Sequence, residues 1–264
     1  MKQRSFAKNR MTRIVAYHYF KLMFRSLLLL AAGVTYIRNR IKGTGELFGG
    51  FERNDFVLGA IWVFFLVGMV LRFFPSKTES MGCQKQFSAN YRPIAGSQLR
   101  PSSRRVTLAV ALSFLSLNAA IGALYFVGWI DAGILILIAL LYSVCDVICI
   151  LFFCPFQTWF MKNKCCATCR IYNWDYAMMF TPLIFIPHPV TYSLVGLSLL
   201  LLLQWEIKLH RFPERFCETT NASLHCENCK EKLCKEKNQL RHFLQRGVFD
   251  RAGNWVYRVK GRKK

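Results

Sequence analysis

The chain has 264 residues, 53% hydrophobic and 15% aromatic, and carries Lys+Arg 36 against Asp+Glu 14. A disordered tail would not carry 23 Phe, and a soluble nucleic-acid binder would not join this charge to a mean hydropathy of +0.24. Composition therefore excludes a disordered chain, a collagen and a simple soluble nucleic-acid binder, and favours a membrane protein with basic loops.

A bilayer core about 30 Å thick needs roughly 20 helical residues. The first candidate is 14–37, where Lys21 and Arg25, one turn apart, interrupt the first half while Leu27–Ala32 is wholly apolar. Both cations are expected to snorkel to one surface, and the segment reads as a retained anchor, since no small-residue cleavage site follows it. Runs at 56–74 (ending near a snorkelling Arg72), 106–129 and 132–153 follow. The 176–205 region is broken by Pro187-His188-Pro189, which removes two backbone donors. It reads as a hairpin of spans 171–186 and 190–207, with a single kinked span as the alternative. The expected fold is all-α: a polytopic membrane domain over 1–209 with about six helices, then a basic, Cys-containing cytoplasmic tail over 210–264.

Orientation follows from Lys and Arg near the span ends, because positive loops resist translocation. Five lie in 1–13 (Lys2, Arg4, Lys8, Arg10, Arg13), six in 75–105, three in 154–175 and fifteen from Glu206 onward. The Gly128-Trp129-Ile130-Asp131 and Pro-His-Pro turns hold none, so both are expected on the translocated side. The 38–55 connection, with four positives and three acids, sits less comfortably there. The expected location is a bacterial-type inner or plasma membrane with both termini cytoplasmic.

Eleven cysteines punctuate this plan. Cys83 stands alone, and Cys145, Cys149 and Cys154 descend toward Pro155. Then come Cys165, Cys166 and Cys169, and in the tail Cys217, Cys226, Cys229 and Cys234. On a reducing face, metal or redox roles are favoured over disulfides, with acylation of juxtamembrane thiols a further alternative. The C-x2-C spacing lets two thiolates converge on one metal from a tight turn. Cys166/Cys169 and Cys226/Cys229 can share one four-thiolate site. Alternatively Cys154, Cys165, Cys166 and Cys169 form one site, and Cys217, Cys226, Cys229 and Cys234 a second. Zinc and iron–sulfur both accept four thiolates. The flanking Phe152, Phe153, Phe156, Trp159 and Phe160 would shield a cluster at the membrane edge and suit exchange with a quinone or a redox partner subunit.

Between Cys149 and Cys169, a helical Cys followed by Cys154-Pro155 resembles the membrane iron–sulfur proteins that accompany nitrate and nitrous-oxide reduction. The spacing departs from that family, and its ferredoxin repeats are missing. The resemblance implies membrane electron transfer.

Three further features remain. Arg170-Ile171-Tyr172-Asn173-Trp174-Asp175-Tyr176 suits an interface, with Asp175 expected to cap the next helix or, alternatively, to handle a proton or cation. Asp146, costly within an apolar helix, is expected to pair with Lys21 or Arg25 if the helices touch, or else to serve as a relay. Leu240, Phe243, Leu244, Val248 and Phe249 follow helical spacing with basic residues between, and Trp255-Val256-Tyr257 reads as a short strand. This basic segment should attract anionic headgroups; no recognition module around it supports nucleic acid. No hydrolase, kinase, phosphate-loop or zincin motif occurs. The expectation is an integral membrane protein with a cytoplasmic-face cysteine cluster binding iron–sulfur for electron transfer. The alternative is a non-catalytic protein with structural zinc and a basic tail for lipid or a protein partner.

Overall fold

The computed structural model describes residues 13–42, 55–77, 79–99, 103–161 and 165–229, together with two short strands, 247–249 and 255–257. The helices are α1 (Arg13–Ile41), α2 (Asp55–Leu71), α3 (Met81–Gln84), α4 (Arg104–Phe126), α5 (Ala132–Leu151), α6 (Asp175–Phe180) and α7 (Pro189–Arg211). Four of them, α1, α4, α5 and α7, are long and apolar enough to cross a membrane. The described residues are thus largely helical, with four candidate membrane-spanning helices.

Local chemistry sets the helix ends. Asp131 caps α5 by accepting from Ile134 N at 2.9 Å. His188, read above as a turn residue, caps α7 through Nδ1, and Pro189 follows at the first helical position, where no donor is lost. α4 stops at Gly128, whose φ of +82° a side chain would strain. There Gly128 N donates to Tyr125 O and Trp129 N to Leu124 O, the paired bonds of a Schellman motif. α2 ends three residues before the expected 74, with Pro75 disfavouring helix at Phe74.

The 171–186 span departs from expectation. It is a 3-10 turn (Tyr172–Trp174), then α6, then a 3-10 turn (Thr181–Phe185). Pro182 lacks the donor that would continue α6, so the helix tightens and stops. This broken segment is nevertheless central. Tyr176, Met179, Phe180 and Leu183 are buried against Phe65 and Met69 of α2, Leu135 and Ala139 of α5, and Leu194 and Leu201 of α7. Small residues admit the close approaches: a Cβ on Gly122 would stand 2.3 Å from the Phe185 ring, and one on Gly68 2.6 Å from the Tyr176 hydroxyl.

Apolar helices gain little from meeting each other in lipid, so packing and polar contacts carry the specificity. α1 runs antiparallel to α5, with Tyr36 donating to Asp131 at one end and the Tyr19 ring against Phe152 at the other. Midway, Arg25 pairs with Asp146 at 2.9 Å and donates to Ser143 O at 2.7 Å. The expected pairing holds, but the snorkelling of Lys21 and Arg25 does not: both are buried on the inward face of α1. Asn118 donates to Phe114 O within its own helix and also hydrogen-bonds Tyr142 of the neighbouring α5.

At the other end of the tail, Gly247–Phe249 pairs antiparallel with Trp255–Tyr257, Val248 opposite Val256. The expected strand at 255–257 is present. The expected helix is overturned at Val248 and Phe249, which lie in this ribbon; its residues 240–246 lie outside the described ones.

Candidate thiol site

The cysteine-bearing loops gather at the end of the bundle where α2, α5 and α7 finish. There the 72–99 connection, the 152–174 loop and the 212–229 segment fold together. Ala222 N donates to Arg92 O, Ile94 N to Thr220 O, and Thr219 Oγ1 to Gln98 O, tying the tail to the connection. Asn221, fully buried, accepts from Arg92 N and donates to Arg215 O at 2.7 Å.

The 152–169 loop positions the first thiols. After α5, Cys154-Pro155 leads into a single π-helical turn, Phe156–Phe160, a local form common at functional sites. The turn brings buried Gln157 between two sulfurs: its N–H donates to Cys154 Sγ at 3.4 Å, and its Oε1 accepts from Cys166 Sγ at 3.2 Å. Cys166 Sγ also points at Cys149 O, 4.0 Å away. The C-x2-C turn closes through Cys169 N donating to Cys166 O at 2.9 Å, while Thr168 Oγ1 donates to Cys165 O. Cys169 is buried with Val110 and Ile171, flanked by Phe156, Tyr172 and Trp174. Of the aromatic residues expected to flank the thiols, only Phe156 belongs to that cluster, and Trp159 is 67% exposed.

Lys85 was not foreseen. Fully buried, it donates through Nζ to Ala167 O at 2.8 Å and Cys169 O at 2.7 Å, with its ammonium 5.3 Å from the Trp205 ring centroid and 5.7 Å from that of Phe216. Among the described residues no carboxylate lies within ion-pair distance of it. Burial pushes its pKa down to about 8, while charge on Cys169, Cys165 and Cys166 would pull it up.

The 170–176 stretch is the hub that fastens this end together. The Arg170 guanidinium grips the Glu206 carboxylate with two bonds, one of 2.6 Å, and Trp174 Nε1 donates to the same carboxylate at 2.8 Å. Trp205 Nε1 donates to Arg170 O, and Tyr172 hydroxyl to Ser80 Oγ. Asp175 does not cap α6, where Trp174 takes that position. Its carboxylate instead pairs with Arg72 at 2.6 Å, both side chains buried, and Arg72 also donates to Asn173 Oδ1 and lies over the Tyr176 ring. Arg72 thus turns inward rather than snorkelling, because a buried carboxylate offers its charge a better partner than the surface does.

In the tail, Cys217 Sγ meets Thr219 Oγ1 at 3.1 Å, and Cys229 N donates to Cys226 O, closing the second C-x2-C turn. No disulfide joins the described cysteines to one another. Among the described residues no three His, Cys, Asp or Glu side chains converge into a metal-holding group. Residues 162–164 and Cys234 lie outside the described residues. Each C-x2-C turn closes through one backbone hydrogen bond; Cys154 and Cys166 both contact Gln157, while Cys169 meets Lys85 through its carbonyl oxygen. Lys85, Gln157 and Glu206 escaped the sequence reading. Glu206 alone carried a usable signal, a carboxylate at the end of an apolar run, as at Asp146. Comparison with known proteins gives no match: no family model, curated protein or solved structure is similar to this chain.

Proposed function

We propose that this chain is an integral membrane protein whose Cys-rich end faces the cytoplasm and binds a soft metal centre, an iron–sulfur cluster serving membrane electron transfer. Cys154, Cys165, Cys166 and Cys169 would hold it, with Cys217, Cys226, Cys229 and Cys234 available for a second centre. The observation that carries this reading is Lys85. A buried ammonium costs several kcal/mol unless anions face it, and here the groups able to become anionic around it are thiols of the Cys-Cys-x-x-Cys loop. Four thiolates on a divalent metal or a doubly charged cluster leave a net negative charge, which a buried cation complements. Phe156 and Trp174 beside Cys169 support a shielded cluster at the membrane edge. The distribution of Lys and Arg supports the orientation, and the basic tail would then meet anionic headgroups. When bound, the centre supplies one-electron chemistry. The chain's own residues hold it, exclude water through the aromatic wall and balance its charge.

The test is elemental analysis and a visible spectrum of full-length protein purified anaerobically in detergent, beside Cys166→Ser and Lys85→Met. Iron with acid-labile sulfide and a visible charge-transfer band, lost in both variants, is expected. Colourless zinc would overturn electron transfer and turn the site into a structural staple between loop and hub. Absence of any metal from the wild type, or full retention in both variants, would overturn the thiolate assignment.

A further inference from the structure

Lys21 is a second buried lysine, in α1 rather than in the connection that carries Lys85. It is 7% exposed, and its ammonium lies 4.2 Å from the centroid of the Tyr17 ring. Among the described residues its ammonium makes no hydrogen bond and no ion pair. Its cationic neighbours are committed elsewhere: Arg25 to Asp146, and Arg72 to Asp175. Glu79 is the remaining carboxylate whose field reaches Lys21, and it stays beyond ion-pair distance.

Depth gives this vacancy of charge a meaning. From Lys21 to Ile41 is about 30 Å at roughly 1.5 Å per residue, the thickness of the hydrocarbon core. At the far end, Arg40 is well exposed and pairs with Asp131 at the tip of α5. With Ile41 at one surface, helix length sets Lys21 at the opposite boundary of the hydrocarbon core, next to the lipid phosphates. Tyr17, whose ring the ammonium faces, is 38% exposed one turn earlier, so this contact lies next to the outer surface of α1. The outer face of α1 beyond it is wholly apolar, with Phe20, Met23, Leu27 and Leu30 exposed, as a lipid-facing surface requires.

We propose that Lys21, beside Tyr17, binds a phosphate anion at this boundary, from an anionic phospholipid headgroup or as the free ion. A Lys ammonium is a point charge that phosphate oxygens can approach from several directions, and an anion there would neutralise the one buried cation of α1 that no carboxylate pairs.

The experiment is native mass spectrometry of the full-length protein in detergent, titrated with dioctanoyl phosphatidylglycerol, dioctanoyl phosphatidylcholine or inorganic phosphate. The expected result is a saturable phosphatidylglycerol adduct, weakened about fivefold or more in Lys21→Gln, retained in Lys21→Arg, and unchanged in Arg104→Gln, which removes an exposed charge at the start of α4. Displacement by inorganic phosphate would identify the free ion as an equal ligand; no displacement would identify the headgroup. Equal binding by wild type and Lys21→Gln, or none by wild type, overturns the proposal. Thermal melting without ligand shows that both Lys21 variants are folded.

Discussion

The two ends of the bundle are built by different rules. At one end, Val127–Asp131 and Ile186–His188 are short turns, held by a Schellman motif, two helix caps and one exposed ion pair. At the other, three chain segments interlock and bury Gln84, Lys85, Gln86 and Asn221 completely. Short turns need only satisfy helix termini, whereas burying polar side chains demands a partner for each. The end that accepts this cost is the one holding the cysteines, and chemistry is more economically sought there.

The sharpest break of that contrast is Arg72→Met. It strands the Asp175 carboxylate in the interior and should lower stability in detergent by about 3–5 kcal/mol. Asp175→Asn should cost less, since Asn can still accept from Arg72. A thermal melt in which Arg72→Met matched wild type would show that the hub is not built around this pair. Arg25→Met should fall somewhat below Arg72→Met, because the Asp146 side chain is 15% exposed against 6% for Asp175, and a double-mutant cycle with Asp146→Asn would measure the coupling.

Packing gives the next step down, with one position in each region. A methyl at Gly82 would meet the Tyr172 ring at 2.4 Å, and one at Gly122 the Phe185 ring at 2.3 Å. Each alanine should cost about 1–3 kcal/mol. Gly82→Ala should also disturb the Tyr172–Ser80 hydrogen bond and, under the proposed metal-binding function, reduce bound metal, whereas Gly122→Ala should destabilise the bundle with metal content unchanged. Equal metal loss in both would erase the distinction between the ends. The smallest effect belongs to Arg40→Ala. Its pair with Asp131 is exposed and 3.5 Å long, so a shift of about 0–1 kcal/mol is expected. Asp131→Ala should cost about 1 kcal/mol more, because that carboxylate also caps α5.

Sequence alone determined what depends on neighbours along the chain. The apolar runs located α1, α2, α4, α5 and α7 because bilayer thickness imposes a length, and a local count reveals it. The partner of Asp146 was legible because an apolar helix tolerates a carboxylate only beside a cation, and α1 offered just two. Tertiary structure decided whatever depends on distant contacts. Arg72 at the end of an apolar run reads as a snorkelling residue until Asp175, far along the chain, is folded against it. The 171–186 segment carries enough apolar residues for a span, yet Pro182 breaks it, and only burial among α2, α5 and α7 makes so short a helix stable. Lys85 gave no signal at all. It sits in a polar connection like any surface lysine, and its burial arises only when the cysteine loop, α7 and the tail close around it, a contact between segments that no periodicity encodes.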